Sequence, residues 1–230
     1  MNSTVNPEAT EKQSGLSRRR FLGFAGALAG AGALTLQACN KDDDNDSSSV
    51  RLGSGDIGVL NYAFALEQLE AAFYTQVVSS MTSGMFSQDE RNLLTDIRDH
   101  EVAHREFFRK VLGSSAIQDL TPNFANINFG DRNSVLTTAR AFEDLGVQAY
   151  NGAGQLLTSA DNLVIAGKIV SVEARHAAYI RDLLQYNSFA DTTILDPATR
   201  TDVHKMPGQV LAIAGKYIVQ KIDYSQLPTA

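Results

Sequence analysis

His100-Glu101-Val102-Ala103-His104 and, later in the chain, Val172-Glu173-Ala174-Arg175-His176 decide how this sequence is read. Each holds a glutamate followed three residues on by a histidine. In an α-helix, positions i and i+3 share a face, so each Glu and its His point the same way. The chain has only four histidines, so two such pairs are unlikely to arise by coincidence.

Both pairs fall on apolar stripes of helical period. The second helical segment starts at Ser87 with Glu90 three residues on, a capping-box pattern, and ends at Gly113. Its stripe is Leu94, Ile97, Glu101, His104, Phe108 and Val111. The fourth follows a short turn at Ser159-Ala160-Asp161 and runs to about Tyr186, with Ile169, Val172, Glu173, His176, Ile180 and Leu183 inward. Before each lies a helix with a mid-length glutamate that has no histidine three residues on. The first runs from about Asp56 to Ser80 with Leu60, Ala63, Glu67, Ala71, Tyr74 and Val78 on one stripe. The third runs from about Ser134 to Thr158 with Leu136, Ala139, Glu143, Val147, Tyr150 and Leu157 inward. Gly152 and Gly154 weaken its second half.

The halves match in order and nearly in spacing. Glu67 to Glu143 spans 76 residues and Glu101 to Glu173 spans 72, and a tyrosine, Tyr74 or Tyr150, follows each single glutamate by seven. Residues 114–133, with Pro122 and Gly130, read as a long connection. Two helix pairs with short turns and one long crossover predict an all-α antiparallel four-helix bundle over residues 56–186. Residues 187–230 form a C-terminal extension, with a short helix from Gly208 to Ala214 expected across the bundle end.

Four helices thus aim a carboxylate at the core. Burying an ionised carboxylate alone costs several kcal/mol or more, so each needs a compensating cation. Two divalent metals would serve all four. The candidate metal residues are Glu67, Glu101, His104, Glu143, Glu173 and His176. Glu70 also lies near the inward face and reads as an extra ligand, a base beside the site, or a carboxylate outside it; its mate in the repeat is Gly146. His100 reads as a neighbour of the site, and Tyr74 and Tyr150 as partners of ligands or as core aromatics. His204 reads as an ordinary tail residue.

This pattern resembles the ferritin-like superfamily, with its Glu, Glu-x-x-His, Glu, Glu-x-x-His set. The run Leu60-Asn61-Tyr62-Ala63-Phe64-Ala65-Leu66-Glu67-Gln68-Leu69-Glu70-Ala71-Ala72-Phe73-Tyr74 resembles the exported, desiccation-related branch. The resemblance implies that Glu101 and Glu173 bridge two metals, that Glu67 and Glu143 are terminal, and that His104 and His176 take one metal each. It implies iron first, with manganese or a mixed pair as alternatives. It leaves the reaction open, because ferroxidases, rubrerythrin-like peroxidases, oxygenases and manganese catalases share the set.

Residues 100–104 also match the His-Glu-x-x-His motif of zinc peptidases. That reading leaves the second half unexplained, where Val172 stands in place of the first histidine. A third reading is a non-enzymatic envelope protein held together by its metals.

The N-terminus carries an address. Ser17-Arg18-Arg19-Arg20-Phe21-Leu22 resembles a twin-arginine export signal, and the uncharged, Gly- and Ala-rich stretch to Ala38 is weakly hydrophobic. A transmembrane anchor is the rival reading. Leu36-Gln37-Ala38-Cys39 resembles a lipobox, which makes Cys39, the only cysteine, the lipidation residue. Cleavage after Ala31-Gly32-Ala33 is the alternative. The expectation is a signal peptide over 1–38 and an acidic, Ser-rich tether over 39–55, whose Lys-Asp-Asp run resembles a lipoprotein surface-export signal. The expected partners are the twin-arginine translocase and, through lipidated Cys39, a membrane; the expected location is the cell envelope, periplasmic or at the outer membrane. A formal net charge of −6 argues against a nucleic-acid partner. The oligomeric state is open.

Overall fold

In the computed structural model, residues 49–229 are described. The twin-arginine stretch, the hydrophobic segment, Cys39 and most of the acidic tract lie outside the described residues. The chain runs β1 (Ser49–Arg51), α1 (Gly55–Ser80), α2 (Gln88–Leu112), α3 (Arg132–Ala153), α4 (Ala160–Leu184), α5 (Pro207–Ala214) and β2 (Lys221–Asp223). The four long helices form the antiparallel bundle, and residues 113–131 are its crossover. None of the described helices is long and apolar enough to cross a membrane.

Local chemistry sets the helix ends. Ser87 Oγ accepts the Glu90 N–H at 3.2 Å, and Glu90 Oε2 accepts the Ser87 N–H at 2.8 Å, closing the capping box that starts α2. The same Glu90 pairs with Arg132, whose guanidinium also donates to Leu183 O. One arginine thereby ties the start of α2 to the start of α3 and the end of α4. Asp131 and Ser159 cap α3 and α4 through their side chains.

Several local details differ from the sequence reading. The α-helix of α3 ends at Ala153 and tightens into a 3₁₀ turn over Gly154–Leu156, so the link to α4 falls before Ala160, which is already helical. Asp56 causes this: its carboxylate accepts the N–H groups of Thr158 and Ser159 and the side-chain amide of Asn162, pinning the turn to the start of α1. In α2, Leu112 takes the buried place expected of Val111, which is exposed. Residues 49–52, expected in the tether, join the fold: β1 pairs in parallel with β2, Val50 against Ile222, and Val50 and Leu52 are buried.

α1 is the central helix. Every residue from Gly58 to Ala71 is buried, which two-sided packing alone does not achieve. The crossover covers one side. Asn61 donates to Leu52 O and Ser115 O and accepts the Ile117 N–H, while Gln68 accepts the Leu120 N–H. Phe73 is buried among Tyr74, Phe124, Phe129 and Phe142, with ring centroids 5.0 Å from Phe142 and 6.0 Å from Phe124. Truncating such a ring costs about 3–5 kcal/mol. The C-terminal extension covers another side. It packs beside the middle of the bundle, on α3, where Ala214 lines a small cavity with Leu66, Leu69, Phe142 and Leu145, instead of across the bundle end. Its approach to α3 is so close that a Cβ on Gly152 would stand 2.0 Å from Lys205 O; only glycine fits there.

Candidate metal centre

The apolar stripes bring one carboxylate from each long helix to mid-height in the bundle. Glu67, Glu101, Glu143 and Glu173 are all fully buried. With the two histidines they form two overlapping groups: Glu67, Glu101, His104 and Glu173, and Glu101, Glu143, Glu173 and His176. Within each group the candidate donor atoms lie within 4.8 Å of one another.

The geometry repeats the sequence symmetry atom by atom. His104 Nδ1 is 3.0 Å from Glu173 Oε1, 3.3 Å from Glu67 Oε2 and 3.7 Å from Glu101 Oε2. His176 Nδ1 is 2.9 Å from Glu101 Oε1, 3.5 Å from Glu143 Oε2 and 4.0 Å from Glu173 Oε2. Glu101 and Glu173 therefore each offer one oxygen to each group. Tyr74 donates its hydroxyl to Glu143 Oε1 at 2.5 Å, and Tyr150 donates to Glu67 Oε1. Each tyrosine crosses from its own helix to the single glutamate of the other half, and leaves that glutamate's Oε2 facing inward.

Close as they are, the inward atoms are not hydrogen-bonded. Glu67 Oε2, both oxygens of Glu101, Glu143 Oε2, both oxygens of Glu173, and Nδ1 of both histidines are buried without a hydrogen-bond partner. They are eight of the eleven such side-chain atoms among the described residues. Buried polar groups are normally satisfied, so eight orphans in one place call for a shared partner. The donor set is oxygen with imidazole, which suits iron, manganese or zinc. Four carboxylates would balance the charge of two divalent ions.

The electrostatics of the bare cluster are frustrated. Burial raises Glu67 to about 7 although His104 and Tyr150 pull it down. Burial and the neighbouring carboxylates, Glu101 foremost, push Glu173 well above the usual range, and burial also raises Glu143. Burial opposes ionisation of Glu101 too, but its contacts with His104 and His176 win and hold it at about 2. Burial should lower both histidines, yet the surrounding carboxylates raise His104 to about 12 and His176 to about 10.

Glu70 lies against the centre but in neither donor group. It is buried, and burial first, then Glu173, raises it well above the carboxylate range. Its carboxylate occupies the space that a side chain at position 146 would fill: a Cβ on Gly146 would stand 3.1 Å from Glu70 Oε1 and 3.7 Å from Glu173 Oε2. The repeat marks these positions as mates, but only packing shows that the glycine makes room for the glutamate. His100 is also in neither group; its Nδ1 lies 2.9 Å from His176 Nε2. His204 is exposed in the extension.

No curated protein matches the chain. A family model, the ferritin-like domain, matches residues 55–186, from the first residue of α1 to just beyond α4. That span holds every member of the carboxylate–histidine cluster, and on it the chain belongs to the ferritin-like domain family.

Proposed function

We propose that this chain is an exported di-iron carboxylate oxidoreductase of the cell envelope, which oxidises Fe(II) or removes peroxide. The observation that carries the metal reading is the set of eight buried, unpartnered donor atoms facing one another from four helices. Glu67, Glu143, His104 and His176 would each serve one ion, and Glu101 and Glu173 both. Bound iron would supply one-electron redox steps; a manganese or mixed pair suits the same donors. The chain's residues do the positioning. Tyr74 and Tyr150 fix Glu143 and Glu67 through Oε1 so that Oε2 stays aimed inward. The four carboxylates are fully buried between the helices, which keeps bulk water from them. Export rests on the resemblance of residues 17–39 to a twin-arginine lipoprotein signal, with Cys39 as the lipid-bearing residue.

The test is anaerobic loading with Fe(II) followed by dioxygen or peroxide. About two irons per chain, oxidised on mixing, are expected. Failure to bind metal would sink the reading. Two bound metals with no oxidation would favour a second one, in which the metals only brace an envelope protein; the complete burial of the four carboxylates favours it. A zinc peptidase fits poorly, because His100 faces His176 instead of sharing a centre with His104. Replacing Glu173 and His176 would leave peptidase activity standing and would abolish a two-metal site.

A further inference from the structure

The two halves of the centre repeat each other in their carboxylates, their imidazoles and their tyrosines. They differ behind the imidazoles. His176 presents Nδ1 to the cluster and Nε2 to His100, whose Nδ1 is 2.9 Å away; the rings are nearly parallel, with centroids 5.2 Å apart. An imidazole nitrogen that binds a cation must offer its lone pair, so with Nδ1 facing the ion the His176 proton sits on Nε2. That N–H donates to His100 Nδ1, and the His100 proton is then on its own Nε2. The pair thus selects one tautomer for each ring and fixes the His176 ring plane.

His104 has no such support. Its Nδ1 faces the cluster in the same way, but its Nε2 makes no hydrogen bond to any described residue. The position equivalent to His100, four residues before His176, is Val172, which has no acceptor to offer. The His104 side chain is also the more exposed, at 15% against 6% for His176. Glu70, whose mate in the repeat is Gly146, is a second difference between the halves.

We propose that the two metal positions are inequivalent, and that His100 is a positioning residue that makes the His176 position the tighter one and the first to fill. This rests on the two-metal reading above. Partners behind a ligating histidine are typically worth about 10–100-fold in metal affinity, so the two binding steps should be separated by a factor of that order.

Anaerobic titration of the metal-free full-length chain with Co(II), followed by visible absorption and calorimetry, tests this. The native chain should bind in two resolved steps. His100→Leu should weaken the first step about 10–100-fold and leave the second nearly unchanged. His100→Asn, whose side-chain oxygen can stand in for Nδ1 as acceptor, should retain most of the first-step affinity. Val172→His should strengthen the second step. His100 is exposed, so these variants at position 100 need not disturb the core, and unchanged melting of the metal-free forms checks that. Two equal steps in the native chain, or His100→Leu weakening both steps alike or neither, would overturn the inference and leave the two-metal reading standing. A native chain that binds no Co(II) would overturn both.

Discussion

Replacing Glu173 with glutamine should make the metal-free protein more stable and the metal-loaded protein much less so. Glu173 is fully buried, and burial together with the field of Glu101 raises it well above the usual carboxylate range. The bare fold therefore works against this charge. Glutamine keeps the shape and removes the charge, so the metal-free midpoint should rise. In the native chain, metal reverses the balance. A ligand present at about 100 times its Kd stabilises the folded state by about 2.7 kcal/mol per site, so two sites give about 5 kcal/mol. For a domain of this size, each kcal/mol moves the melting midpoint by about 2–4 °C, which gives about 10–20 °C between chelated and loaded protein. Glu173 offers one oxygen to each donor group, so its loss strikes both positions, and Glu173→Gln should shift by only a few degrees on loading. Scanning calorimetry of both proteins, with chelator or with anaerobic Fe(II), measures all four midpoints. If Glu173→Gln melts below the native chain in chelator, the account of a frustrated bare cluster is wrong. If the native chain gains only a few degrees from metal, the cluster is not a tight site.

Three further outcomes follow from the same geometry. The metal-free chain should lose stability between pH 5 and pH 8. Glu67, raised to about 7 by burial, contributes stability that is present below its ordinary value near 4.5 and lost as pH rises through about 7; His104, at about 12, loses its contribution in the same direction above about 6.5. Loaded protein should show the opposite slope, since metal binding releases these protons; melting curves across that range with and without chelator decide it. Tyr74→Phe leaves Glu143 Oε1 without its donor and should cost about 1.5–3 kcal/mol, read as a lower denaturation midpoint, with Tyr150→Phe behaving alike through Glu67. Gly152→Ala drives a methyl group into the Lys205 carbonyl and should destabilise by about 1–3 kcal/mol; hydrogen exchange should show the segment from Val203 to Met206 loosened, and unchanged protection there would refute the close-packing argument.

Much of this was legible in the sequence because the bundle obeys a helical period and the centre obeys a twofold repeat. The Ser87–Glu90 box, the Gly113 stop and the i, i+3 pairing of Glu101 with His104 are local rules, and local rules can be read along a chain. What was not legible depends on cover. The apolar stripe of α1 marks only one face, whereas every residue from Gly58 to Ala71 is buried; which segments do the covering, the crossover and α5, is a tertiary fact. The seating of Glu70 in the space of Gly146, and the reach of His100 across to His176 instead of alongside His104, likewise depend on distances between helices that no spacing encodes. Val50 and Leu52 read as tether because three residues of strand carry no period of their own, and the partner strand, Lys221–Asp223, lies far along the chain.

That parallel pairing of Ser49–Arg51 with Lys221–Asp223 has a consequence for the order of events in folding. It closes a loop containing nearly the whole described chain, and the entropic cost of closing so long a loop is met only once the helices have brought its ends together. The clasp should therefore be last to form and first to open. Its amides should exchange with solvent well before those around Glu101 and Glu173, as an independent low-stability unit. Strain arriving from upstream of Ser49 would be absorbed there, by a short ladder that can detach and re-form, while the four helices and the chemistry between them stay shut.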